Sequence, residues 1–218
     1  MRSSRPRRCN LSLRKMEAAT LLNPSKLWTR AEMLARLCPV PALAGVYAWF
    51  FDWCPQGIAP EQLVHSFGFM LLYVGIAPGP PSTSGKSSRQ TLRSRLCYHF
   101  RGNAEGSTLR LSLGCLLSQS LSIELRRVGN GRRMTFGAGE RALDDWLGRS
   151  ARIAWMVCDE PWKTEEYLIR TVSLPLNLDQ NLHHLFHSKL SEIRRLAKAR
   201  AKSCRLLVAR TTSCRDLN

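Results

Sequence analysis

The sequence predicts an α/β domain: a small, mainly antiparallel sheet of three core strands flanked by helices. Three observations lead there. The runs 44–51 (AGVYAWFF), 69–76 (FMLLYVGI) and 152–158 (RIAWMVC) have the β-branched and aromatic composition of strands. The first two runs are joined too closely for a crossover helix of usual length, which argues against a βαβ unit. Several other segments place apolar residues at helical spacing.

The elements follow in order. Residues 27–38, LWTRAEMLARLC, read as a helix closed by Pro39 and Pro41. The first strand, a turn-rich stretch and the second strand come next. Residues 77–88, APGPPSTSGKSS, are a loop by their Pro, Gly and Ser content. A helix is predicted over 89–101, a hairpin over 122–136 around Asn130-Gly131, and a helix over 139–149. The third strand precedes Pro161, which opens a helix reaching about Val172. From Leu185 to about Arg210 the chain reads as one or two basic amphipathic helices. The expected organisation is a basic, disordered arm over 1–26, a folded unit over 27–183 and a basic helical extension over 184–218.

Composition narrows the function classes. The 44% hydrophobic content suits a globular chain, and no apolar run reaches the ~20 residues of a membrane helix, which excludes an integral membrane protein. The net charge of +17 points to a polyanionic partner. It is concentrated at the ends: residues 1–41 and 184–218 each carry nine basic and two acidic side chains. Phosphate-binding arms and merely solvated ends both fit that pattern. The eight cysteines form no CxxC pair and read as reduced thiols of a cytoplasmic protein. The Arg- and Ser-rich start is compatible with a transit peptide, with a DNA-contacting tail, or with translation beginning at Met16. No GxGxxG or GxxxxGK[ST] is present, which disfavours nucleotide-cofactor chemistry.

A few side chains stand out by position. Tyr47 lies in Gly45-Val46-Tyr47, and Tyr73 in Tyr73-Val74-Gly75. Arg95 and His99 are four apart and share a helix side with Leu92, so both point toward the domain. Arginine clamps phosphate with a planar fork that keeps its charge, and histidine can accept a proton near neutral pH. Glu165 shares the apolar stripe of its helix with Leu168, Ile169 and Val172, whereas Glu166 is spaced to pair with Arg170 in solvent. An inward carboxylate needs a partner, either a divalent metal or a buried cation such as Arg95.

These residues, with Asn177 in Leu174-Pro175-Leu176-Asn177, occur in an order that resembles the GIY-YIG nuclease family over about residues 44–181. The segment EEYLIRTVSLPLN is similar to the family's closing helix and Pro-x-Asn turn. Both isoleucines of the family name are valine here. A lysine that many members carry after the second motif is missing from Gly75-Ile76-Ala77-Pro78; Lys86 follows in the loop. The insertion over 102–150 makes the chain look like the enlarged, restriction-endonuclease branch.

The resemblance implies a metal-dependent endonuclease acting on DNA, with RNA as the other compatible substrate. Glu165 would bind Mg2+ or Mn2+, Arg95 would stabilise charge on phosphorus, and Tyr47 would orient or deprotonate the attacking water. His99 would accept a proton in place of the absent lysine, and Tyr73 and Asn177 would orient neighbouring groups. The competing expectation is a nucleic-acid-binding protein on the same fold with impaired catalysis.

Overall fold

The computed structural model describes residues 6–83 and 88–207, with side chains from Leu11 onward. Four antiparallel strands form the main sheet in the order β2-β3-β1-β6: β1 Gly45–Phe51, β2 His65–Ser66, β3 Phe69–Ala77 and β6 Ala151–Val157. The three expected strands are its body, and the two-residue β2 adds to β3 only at residues 69 and 70. A separate hairpin, β4 Arg126–Val128 and β5 Arg133–Thr135, turns at the expected Asn-Gly.

Central β1 is buried along its whole length, so its alternation sorts side chains between two apolar layers. Val46, Ala48 and Phe50 face a layer shared with α1 (Pro6–Leu22) and α6 (Pro161–Thr171), where Ala18, Leu21, Leu168 and Ile169 are buried. Tyr47, Trp49 and Phe51 face the other layer. There lie α3 (Leu92–Arg101), α4 (Thr108–Leu116), α5 (Gly139–Ser150) and α7 (His187–Ser203).

A bulge in β3 decides where Tyr73 goes. Trp49 pairs with Tyr73 but Phe50 pairs with Leu71, so Leu72 is the extra residue. Leu71 and Val74 consequently belong to the α1/α6 layer, while Leu72 and Tyr73 both join the layer of Tyr47.

The two motif glycines answer to close approach. A Cβ on Gly75 would lie 2.5 Å from the Tyr47 hydroxyl, and one on Gly45 would lie 2.1 Å from the Met156 carbonyl.

Several boundaries differ from the sequence expectation. The helix expected over 27–38 shrinks to α2, Arg30–Met33, because Trp28 instead bridges to Ile153 of β6. Helix α4 lies within the insertion over 102–150, where the sequence predicts no helix before 139. Its TLRLSL start alternates like a strand, yet Ser107 caps it by accepting from the Arg110 N–H.

Helices α1 and α7 pack on the core, where the sequence expectation has a disordered arm and an appended extension. Helix α1 is held by Ala18 and Leu21 in the core and by Arg14, which bonds Glu17 at 2.7 Å and Glu160 at 2.9 Å. Helix α7 buries Phe186 before its start and Leu190 and Ala201 along it, all in the central layer. Arg127 of β4 donates to the Ala201 and Cys204 carbonyls, closing the C-terminal end of α7. The six cysteines with described side chains are free. No helix among the described residues is long and apolar enough to cross a membrane.

Candidate active site

The site forms at the edge of β3 that β2 leaves uncovered. That edge is closed by the chain after α6. Leu176 N–H donates to the Leu72 carbonyl at 3.0 Å. The Asn177 amide accepts from Val74 N–H and donates to the Val74 carbonyl, each at 2.9 Å. Asn177 therefore does the work of a strand peptide. Asn181 braces it by donating to the Leu174 and Asn177 carbonyls. The two apolar layers meet here around a pocket of about 160 Å³, lined by Tyr73, Thr108, Glu165, Asn177, Asp179 and Arg194 among others.

Next to the pocket stands a buried polar chain. The Tyr47 hydroxyl lies 2.8 Å from His99 Nε2, and His99 Nδ1 lies 2.7 Å from Ser107 Oγ. Tyr47, His99 and Ser107 are all at most 1% exposed. Arg95 comes from the same face of α3 as His99 and is fixed by a 2.8 Å bond from Nη1 to the Gly106 carbonyl. Helix α3 presents both because Leu92, Leu96 and Phe100 anchor its other inward positions, and because Thr91 and Ser94 form a capping box at its start. His99 is further held through its carbonyl, which accepts from Arg110 at 3.0 Å.

Electrostatics set the protonation states. Burial, reinforced by Tyr73, pushes the Tyr47 phenol well above its ordinary value, with Arg95 pulling the other way. Burial also raises Tyr73. Burial and the Arg95 and Arg110 guanidinium groups push His99 well below its usual range, so the ring is neutral at physiological pH. Arg95 loses some basicity to burial but gains more from Tyr47 and Tyr73, and it keeps its charge.

Glu165 is the exposed nerve of the site. Burial and the neighbouring Asp179 push its carboxyl up to about 7. Among the described residues it makes no ion pair, so the expected alternative of a salt bridge to Arg95 is not what the structure contains. Glu166 pairs with Arg170 at 2.7 Å in solvent, as its spacing predicts.

The structure thus gathers Tyr47, Tyr73, Arg95, His99, Glu165 and Asn177 at one edge of the sheet. It changes the reading of His99. A ring buried between two cations resists a further proton, so its geometry suits a hydrogen-bond partner of Tyr47 rather than a proton acceptor. Lys86 lies outside the described residues. Sequence reasoning missed Ser107, Thr108, Asp179 and Arg194. Only Arg194 carried a readable signal: it stands four residues after Leu190 on the inward stripe of α7.

Comparison with known families matches residues 45–201 to a family described as the GIY-YIG catalytic domain. No curated protein and no solved structure matches the chain.

Proposed function

The chain belongs to the GIY-YIG nuclease family, and from that premise we propose that it is a divalent-metal-dependent endonuclease hydrolysing phosphodiester bonds in DNA, with RNA as the other substrate the chemistry allows. The observation that carries this reading is Glu165, an unpaired carboxylate raised to about 7 in a pocket beside a cationic arginine. A buried carboxylate without a partner is costly unless a cation arrives to balance it.

The donor set fits Mg2+ or Mn2+. Such ions are held by one or two carboxylates together with waters and substrate phosphate oxygens, not by a preformed protein cage. No group of three or more ligating side chains gathers among the described residues. Glu165 would be the ligand, with Asp179 adding negative potential nearby. When bound, the ion would neutralise a non-bridging phosphate oxygen and make phosphorus a better electrophile.

The remaining work falls to the chain's own groups. Arg95 would face the charge that builds on the phosphoryl oxygens in the transition state. With His99 Nδ1–H donating to Ser107 Oγ, Nε2 is an acceptor for the Tyr47 hydroxyl. That tautomer leaves the Tyr47 lone pairs free, and they would accept from the attacking water and orient it. His99 would then fix the direction of the phenol without carrying off its proton. Asn177 would keep β3, and with it Tyr73 and Gly75, in register.

Plasmid nicking tests the reading. The protein should cut with Mg2+ or Mn2+ and stop on chelation, and Glu165→Ala should bind DNA without cutting it. A wild-type protein that shifts DNA in gels but leaves it intact with both ions would be a binder on the same fold.

A further inference from the structure

Arg110, Arg14 and Arg194, which like Arg95 turn inward from helices, differ in how their charge is met. Arg110 on α4 is fully buried and lies 2.6 Å from both Glu140 and Asp144. Arg14 on α1 is 7% exposed and is shared between Glu17 and Glu160. Arg194 on α7 has no carboxylate within ion-pairing distance among the described residues. Its bond to a protein group is a long one, 3.5 Å from Nη1 to Ser112 Oγ.

The direction of Arg194 is not accidental. Phe186, Leu190 and Ala201 pin α7 to the core, and Arg194 follows Leu190 by one helical turn on the same side. Its neighbour Arg195 points away and is paired with Glu192 in solvent. Arg194 instead lines the pocket that Glu165, Tyr73, Thr108 and Asp179 line. Burial lowers its pKa, partly offset by Cys115 and Asp179, as expected for a cation short of a counter-charge. A half-buried guanidinium without a carboxylate, facing an accessible pocket, is suited to an anion from outside. Its planar fork matches two oxygens of a phosphate.

We propose that Arg194 is a phosphate-binding residue of this pocket, contributed by the C-terminal helix, and that it grips the substrate phosphodiester opposite Arg95. The proposal rests on the nuclease reading for its substrate but not for its ligand chemistry, which is a phosphate group in either case. It also gives α7 a role in the site itself, beyond a general attraction for polyanions. Two guanidinium groups would then balance Glu165, Asp179 and the incoming phosphate.

Two measurements test it, with Arg194→Met, Arg194→Lys and Arg195→Met compared with wild type. In single-turnover cleavage at saturating DNA, Arg194→Met should be slower by at least about tenfold, with affinity changed only a few-fold. Arg194→Lys should recover part of the rate, and Arg195→Met should cut like wild type. In thermal unfolding, inorganic phosphate with Mg2+ should raise the Tm of wild type and Arg195→Met by about 2–4 °C and leave Arg194→Met unmoved. Normal cleavage by Arg194→Met with DNA affinity unchanged overturns the assignment. An equal phosphate shift in Arg194→Met and wild type overturns it as well. If wild type cuts no nucleic acid, the nuclease reading fails, and the phosphate shift still decides the fate of Arg194.

Discussion

Around Arg110 and at the β3 edge the described chain buries charge, and the two regions treat it in opposite ways. Around Arg110 the charges are closed on one another. The guanidinium meets Glu140 and Asp144, donates to the His99 and Glu140 carbonyls, and the other Glu140 oxygen accepts the Ala104 and Phe136 N–H groups. In the pocket at the β3 edge the charges are left open. Glu165 and Arg194 line one space without forming an ion pair, and Asp179 stands near both. The closed cluster ties α3, α4 and α5 together. The open one can be completed only by groups that the chain does not supply. Removing a charge should therefore destabilise the first region and relieve the second.

Glu165→Gln gives the largest effect and the sharpest test of that contrast. Cleavage should fall by at least about a thousandfold, roughly 4 kcal/mol in transition-state terms, while DNA binding persists. Stability should move the other way. The folded carboxyl titrates at about 7 against an ordinary 4.5. Its protonated form is therefore favoured by folding, and that stability is fully present below pH 4.5 and lost as pH rises to 7. Glutamine has no such loss. Urea unfolding should show wild type and variant alike near pH 4, and the variant more stable by up to about 3 kcal/mol above pH 7. A variant less stable than wild type at pH 8 would mean that Glu165 has a partner in the free protein.

Arg110→Met probes the closed region. It leaves Glu140 and Asp144 facing a buried space without their cation, and it frees the His99 carbonyl. The expected cost is about 3–5 kcal/mol in urea unfolding. A loss under about 1 kcal/mol would show that the cluster is not closed in solution. Tyr47→Phe lies between the two regions in character. It strips His99 Nε2 of its buried partner at a cost of about 1–3 kcal/mol. If the hydroxyl orients the attacking water, turnover falls far more than DNA affinity; near-normal turnover would remove it from the mechanism.

The contrast explains what could be read in the chain and what could not. Local pattern sufficed for the three core strands, for the shared face of Arg95 and His99, and for the inward phase of Glu165. Each depends on neighbours within a helical turn or a strand's alternation. The partners of Arg110 lie 30 and 34 residues away, and Glu160 lies 146 residues from Arg14. Spacing along the sequence gives no sign of such pairs. That is why α1 reads as a basic tail until its place against α6 is known. The bulge at Leu72 is likewise invisible to a two-residue period, which would send Leu72 and Tyr73 to opposite sides. Arg194 shows its inward phase in its spacing from Leu190, but among the many basic residues of α7 its lack of a partner does not stand out until the pocket does.

The smallest effect belongs to the residue beside the largest. Glu166 follows Glu165 on α6, and the ~100° step of a helix carries it away from the pocket. It lies instead along the groove between α6 and α1, with Leu11, Lys163 and Arg170. Its 2.7 Å pair with Arg170 joins two largely exposed side chains at helical spacing, an arrangement worth about 0.3–0.5 kcal/mol. Glu166→Ala should therefore shift urea unfolding by no more than that amount and leave nicking unchanged. The chemical change resembles that at Glu165, since each variant removes one carboxylate charge from the same helix. Only the side of the helix differs, so the pair isolates position from charge. Should Glu166→Ala abolish cleavage while Glu165→Gln spares it, the phase of α6 would be reversed, and the open region would have to be sought in the groove against α1.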